Sequence, residues 1–484
     1  MNTGSAAVGA APIENIKRLP IVISMMIGAF LALLNETLLG VALTELTKEL
    51  KVPYSTIQWL TTGYMLLIGI LVPVTALLIQ WFTTRQIFIS AMGLFLVGTL
   101  IAGLSPNFTV LLIARLVQAL GTGLLLPVMM NTILTIYPPE KRGAAMGTIG
   151  LVIMFAPATG PTLAGLILDS LSWRWLFFSV VPLAVFSIIF AFIYLRNVSE
   201  VTRPKVDLLS ILLSTIGFGG IVYGFSSAGD PEIGWSSSLV IICLVAGFIG
   251  LLLFVLRQLK LAEPVLDIRS FKYPMFSLAV ILMVILMMTL FSTLTLLPMF
   301  MISGLALTAS TVGLILLPGG IINGLMSPIT GRLFDKFGPR ALVIPGIVIM
   351  VITLWLFTQV STSTEIYVII LLHIALMIGL SMVIMPAQTT GLNQLPRHLY
   401  PHGTAIMNTI QQVAGAVGTA LFISIMSSGQ ARYLSGVKDP TNPKQIAEAM
   451  TSGVHSAFWV GAILTVAAFI LALFIRRSAI PQEK

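Results

Sequence analysis

Fourteen apolar stretches, each about the length needed to cross a bilayer, follow one another along 484 residues. A helix needs about 20 apolar residues to cross the hydrocarbon. Within lipid the backbone N–H and C=O groups must be satisfied by the protein itself, which a helix does within its own segment. The expected spans are 20–44, 57–80, 86–104, 109–136, 143–168, 174–195, 207–228, 237–256, 275–302, 310–331, 340–360, 365–389, 402–427 and 455–477. Charged residues make up 9% of the chain, against about 25% in soluble proteins, which leaves a bilayer as the solvent. The longest connection, 428–454, is polar and expected to be exposed.

Lys and Arg set the orientation. With the N-terminus in the cytoplasm, 19 of the 26 basic residues fall on the inner side and 6 on the outer, as the positive-inside rule requires. Both termini are then cytoplasmic. The net charge of +9 is accounted for by these short loops, so nucleic acid is not an expected partner. The single cysteine, Cys243, lies in an apolar run and excludes a disulfide framework. Residues 1–19 are polar and the first apolar stretch is too long for a signal h-region, so no cleaved leader is expected.

Two charges break the pattern. Glu36 and Arg115 lie well inside their spans, whereas the other acids fall in loops or near helix ends. Counted from the outer ends of spans 1 and 4, both sit roughly 9–12 Å below the surface of the hydrocarbon. Opposite charges at one depth lower each other's cost, and an ionisable group there marks a pathway or relay by default. Desolvation favours the neutral form of a carboxyl and a nearby guanidinium favours the ionised form, a balance that suits a proton carrier. A purely structural pair, or contact with a cationic substrate, are the alternatives.

The chain also repeats itself. "VPVTALLIQWFTTRQIFI" (72–89) aligns without a gap on "SPITGRLFDKFGPRALVI" (327–344), placing Pro73 on Pro328, Thr75 on Thr330, Phe82 on Phe337 and Arg85 on Arg340. "RGAAMGTI" (142–149) resembles "HGTAIMNTI" (402–410), and Pro127 and Pro386 lie similarly upstream. Spans 1–6 therefore correspond to spans 9–14, with spans 7 and 8 inserted between two six-helix halves. Repeats of this kind build alternating access around a midplane site. The expected division is a tail 1–19, a bundle 20–200, the inserted pair and linkers 201–272, a second bundle 273–477 and a tail 478–484.

Four stretches carry a family resemblance. "APATGPTLAG" (156–165) resembles the antiporter signature of helix 5 in the major facilitator superfamily, with Gly160, Pro161 and Gly165 in place and Ala156 and Ala164 where glycine is common. "LLIARLVQALGTG" (111–123) resembles the helix 4 signature through Arg115, Gln118, Gly121 and Gly123. "LLNETLLGVAL" (33–43) resembles the helix 1 signature of the fourteen-helix group. There Asn35 occupies the aspartate slot, Glu36 a variable one, Gly40 the asparagine slot and Thr44 the proline slot. "GRLFDKFGPR" (331–340) resembles the superfamily's loop signature. Its first-half counterpart has lost that chemistry, with Ala76, Gln80 and Thr83 opposite Gly331, Asp335 and Gly338.

The chain thus resembles the fourteen-helix drug:proton antiporters of that superfamily. The resemblance implies an all-α membrane protein of 14 transmembrane helices: two pseudo-symmetric six-helix bundles plus two inserted helices. It implies proton-coupled efflux of small amphipathic compounds by alternating access across the bacterial plasma membrane, with the lipid bilayer, substrates and protons as partners. The proton gradient stands in place of a cofactor, and a monomer suffices. Glu36 is expected to carry the proton and Arg115 to bias it. The Gly160–Pro161 stretch is expected to seal the halves, and Gly331, Arg332, Asp335, Gly338 and Arg340 to form a gating loop with Lys336 in its charge cluster. Asn35, Gln58, Gln118, Asn131, Asn323, Gln388, Asn408 and Gln411 are candidate cavity residues, each with interhelical hydrogen bonding as its alternative. Trp173 and Trp175 are expected at a membrane interface. No nucleotide loop, metal-ligand cluster or nucleophile–base pair is present in the sequence, so an enzyme is not expected. An exporter of one metabolite or lipid, and a non-transporting membrane sensor, are the competing functions.

Overall fold

The computed structural model describes residues 18–52, 54–57, 59–198, 201, 207–228, 233–437, 439 and 442–477. The expected tails lie outside these residues except for Arg18 and Leu19. The apolar runs are helices throughout. The first group is α1 (Arg18–Leu50), α2 (Trp59–Trp81), α3 (Thr84–Gly103), α4 (Phe108–Ile136), α5 (Arg142–Ser170) and α6 (Val181–Tyr194). Next come α7 (Leu208–Ala228) and α8 (Ser238–Lys260). The second group is α9 (Pro274–Ser303), α10 (Ala309–Phe337), α11 (Arg340–Phe357), α12 (Ile366–Asn393), α13 (Tyr400–Leu434) and α14 (Pro443–Ala472). Among the described residues, 12 helices are long and apolar enough to cross a membrane, or 13 with α2, which bends by 57°, taken as one span. The chain is a multi-pass membrane protein.

Polar residues punctuate the helices where they leave the apolar layer. Thr83 and Gln86 form a capping box at the start of α3, and Asn107, Thr308 and Asn442 cap α4, α10 and α14. Each satisfies backbone donors that the first helical turn leaves open.

The two groups of six meet along two seams, α5 against α10 and α2 against α13. The repeat in the sequence relates these seams, since α2 corresponds to α10 and α5 to α13. The α7–α8 pair forms a hairpin leaning on both α2 and α13. Its helices approach closely through glycines: a Cβ on Gly220 would come 2.9 Å from Gly247 Cα, and one on Gly250 3.0 Å from Gly217 N. Small residues are how helices pack closely in lipid. At its base Arg257 grips Asp207 through two hydrogen bonds of 2.7 and 3.0 Å. Ser210 and Gln258 extend that clip, and it holds the Asp207 carboxyl down at about 2.

Two expectations are corrected. The connection 428–454 is largely helical, because α13 continues to Leu434 and α14 begins at Pro443. Tyr433 donates to Gln445 and Glu448 across the gap, so polar side chains beyond the apolar layer satisfy one another. Trp173 is not an interfacial anchor. It is 1% exposed, edge-on to Phe177 and 4.4 Å beneath the Arg174 guanidinium. Trp175, at 48% exposure, fits the interfacial expectation.

Candidate functional site

Arg115 is fully buried in α4. Its Nη1 donates to Asn35 Oδ1 at 2.8 Å and to Gln118 Oε1 at 2.9 Å, and its Nε to the Leu60 carbonyl at 3.4 Å. Its guanidinium lies 4.0 Å from the centroid of the Tyr64 ring. Gln118 passes the network to Thr99 at 2.8 Å, and the Tyr64 hydroxyl donates to Thr122 at 2.7 Å. Nη2 has no hydrogen-bond partner among the described residues. The expected Glu36–Arg115 ion pair is absent from the salt bridges among the described residues. The reason is helical geometry: neighbouring residues point about 100° apart, so Asn35 meets Arg115 while Glu36, partly exposed, looks elsewhere.

The other candidates separate into several groups. Gln58 and the side chain of Pro161 lie outside the described residues, as do the side chains of Gly40 and Thr44. Asn323 donates to the Met377 carbonyl, joining α10 to α12. Gln388 and Asn408, on α12 and α13, both reach the Met130 sulfur on α4. That contact crosses between the two groups of helices. Asn131 is buried and Gln411 partly exposed.

The seams close at the face where α1 begins, called here the basic face. Both Asp335 oxygens accept backbone hydrogen bonds at 2.8 Å, from Gly143 and Ala144 at the start of α5. A carboxylate at a helix N-terminus meets open N–H donors and the positive end of the helix dipole. Arg142 reaches the opposite way, donating to Asn393 at 3.0 Å with Tyr400 beneath its guanidinium. The backbones are too close for side chains here: a Cβ on Gly331 would fall on the Gly143 carbonyl. Gly338 has φ +79°, a conformation that favours glycine. The expected charge cluster is absent among the described residues. Asp335 is taken by the α5 N-terminus, Arg332 is exposed, and Lys336 lies over Phe337. Arg340 donates to the Ile475 and Leu473 carbonyls after α14.

The Gly160 stretch faces elsewhere than expected. A Cβ there would fall on Thr37 of α1, within the first group, and one on Gly165 would meet nothing within 4 Å. The close approach between groups lies nearer the basic face, at Gly143, Gly147 and Gly150 against Ser327 and Gly331.

The repeat has structural counterparts. Arg85, aligned with Arg340, donates to the Phe192 carbonyl of α6 as Arg340 does to the residues after α14. Gln80, in the Asp335 slot, approaches His402 Nε2 at 3.4 Å, and His402 is the residue aligned with Arg142. Thr83, in the Gly338 slot, has φ −69° and caps α3, so no glycine is needed. Sequence reading passed over Tyr64, Thr99, Met130 and Arg142. For Arg142 a signal existed: a buried charge opening a helix, aligned with a histidine in the second half.

A family model described as Major Facilitator Superfamily matches residues 25–208 and 207–419. The chain is 57% identical over 464 residues to the lincomycin resistance protein LmrB of Bacillus subtilis, covering 96% of this chain and 97% of that protein. It is 26% identical over 443 residues to the multidrug export protein EmrB of Haemophilus influenzae, covering 91% and 86%. The crystal structure of the human organic anion transporter MFSD10 superposes with a TM-score of 0.65 at 13% identity, covering 94% of this chain and 99% of that one. At that identity the likeness concerns the fold alone.

Proposed function

Because the chain belongs to the Major Facilitator Superfamily, we propose that it exports amphipathic drugs from the bacterial cytoplasm in exchange for protons. It is a transporter and not an enzyme. The drug-resistance and drug-export relatives support the substrate class. The observation that carries the coupling mechanism is Glu36: a partly exposed carboxyl inside the first span, beside a buried cation that it does not pair with. It can therefore take and release a proton without a salt bridge being made or broken.

In this reading the chain has fourteen spans, with α5 counted among them and α7–α8 inserted between two six-helix bundles. The bundles cover 20–200 and 273–477. The basic face is cytoplasmic, as are both termini, in the plasma membrane. The described state is closed on that side by Asp335, Arg142 and the glycine seam. Alternation then breaks those contacts and opens the cavity inward. The chain works as a monomer without a bound cofactor. One proton crossing 100 mV yields about 2.3 kcal/mol, enough for roughly a 50-fold substrate gradient.

The test is proton-driven efflux in inverted vesicles, with ethidium and lincomycin as substrates, comparing the wild type with Glu36→Gln at matched expression. Loss of ΔpH-driven transport with retained substrate binding is expected. Normal pumping by the variant would remove Glu36 from the mechanism. A narrow substrate range is the second reading, favoured because a relative at 57% identity is named for resistance to one antibiotic. Lincomycin transport without ethidium transport would select it.

A further inference from the structure

Among the described residues no acid pairs with the buried Arg115, which is unusual for a guanidinium inside a membrane. Asn35, Gln118 and the Leu60 carbonyl satisfy Nη1 and Nε. Nothing among the described residues satisfies Nη2. The remaining contact is the face of Tyr64, itself 0% exposed, with its ring centroid 4.0 Å from the guanidinium carbon. An aromatic face carries negative charge density, and it attracts a desolvated cation more strongly than an exposed one. The Tyr64 hydroxyl is directed to Thr122, so the ring is pinned by its own hydrogen bond.

We propose that Tyr64 is a positioning residue for proton coupling: its ring face stands in for a counter-anion to Arg115 and leaves Glu36 free to exchange its proton. This rests on the coupling role of Glu36 proposed above. Among the described residues, the titratable groups this network brings next to the Glu36 turn of α1 are Arg115 on α4 and, beneath it, Tyr64 on α2. Weaken the ring's hold and Arg115 keeps an unsatisfied N–H, with the Glu36 carboxyl on the residue next to its partner Asn35. Glu36 is then recruited as its partner and stays ionised to lower pH.

The experiment reads Glu36 directly. A hydrophobic carbodiimide modifies protonated carboxyls, so labelling of the purified full-length protein against pH, followed by peptide mass spectrometry, reports when Glu36 holds a proton. Tyr64→Phe keeps the ring face and should keep the wild-type profile. A fluorinated phenylalanine at position 64 keeps the shape but cancels the negative face. It should move half-labelling to lower pH by about one unit or more. A packing role predicts the same profile for both rings, and that result would overturn the proposal. Failure of Glu36 to label at any pH in the wild type would also overturn it. Transport is not needed for either readout. A Glu36→Gln variant that still pumps would refute the coupling role without altering the labelling result.

Discussion

Asn35, and not Glu36, accepts the hydrogen bond from Arg115, at 2.8 Å. The Glu36 carboxyl is thus displaced by one residue from the position that would pair it with the buried guanidinium. An aspartate at position 35 would be held as a salt bridge. An asparagine there satisfies the arginine while remaining neutral.

The double variant Asn35→Asp/Glu36→Gln tests that displacement. It keeps the number of carboxyls in α1 unchanged but moves one of them against Arg115. An opposite charge at this range favours the ionised form by one unit or more, so the new carboxyl is protonated about tenfold less often. Proton-driven efflux should stay about tenfold or more below wild type. Recovery to wild-type rates would show that either position can couple.

Asp335→Asn removes the charge from the α5 N-terminus while keeping the side-chain shape. A partly buried charge–dipole contact is worth up to about 2 kcal/mol. The basic face should open in a larger share of molecules, by up to about 30-fold in the ratio of the two states. Spin labels on exposed residues of α5 and α10 near that face would read the change. An unaltered distance distribution would mean the carboxylate does not latch the closed state.

Gly331→Ala adds a methyl group where the Gly143 carbonyl already stands. Overpacking of this kind costs about 1–3 kcal/mol. The closed basic face should be disfavoured and efflux reduced, with less effect on the melting of the isolated helices than on transport. Wild-type transport by this variant would show that α5 and α10 separate easily there.

The clip at the base of the α7–α8 hairpin gives a pH signature. The Asp207 carboxyl sits at about 2, below its ordinary value, through hydrogen bonds from Arg257 and Ser210. A carboxyl depressed on folding stabilises the fold above the ordinary carboxylate range. That contribution fades as pH falls towards 2. Hydrogen exchange at the start of α7 should rise between about pH 4 and pH 2 in the wild type. Asp207→Asn should exchange faster at neutral pH and lose this dependence.

Much of this arrangement was legible in the sequence because bilayer physics leaves few choices. Apolar run length located the helices, 12 or 13 of which are long and apolar enough to cross a membrane among the described residues, and the aligned Arg85 and Arg340 tie the same kind of helix end in each half. Other features were hidden by a rotation or by an extension. Which of Asn35 and Glu36 faces Arg115 depends on α1's rotation about its axis, and hydropathy carries no information about that. Tyr64 reads as one more aromatic residue in an apolar helix until the guanidinium above it is seen. The early start of α14 was missed because its first turns are polar, and their partners lie on α13. Asp335 looked like a member of a local charge cluster because its true partners are backbone donors about 190 residues away.

The hairpin of α7 and α8 touches α2 on one side and α13 on the other, with Trp59 stacked on Tyr223 and Trp235 donating to Ser424. A splint fastened across a joint restricts which motions the joint can make. Sideways spreading of the two bundles at this seam would pull the hairpin from one of its two anchors, whereas tilting about the seam would mainly slide it. The opposite seam, α5 against α10, carries no such splint. The two lipid-facing edges of the molecule are therefore mechanically unlike, one braced and one free, despite the near-symmetry of the bundles that form them.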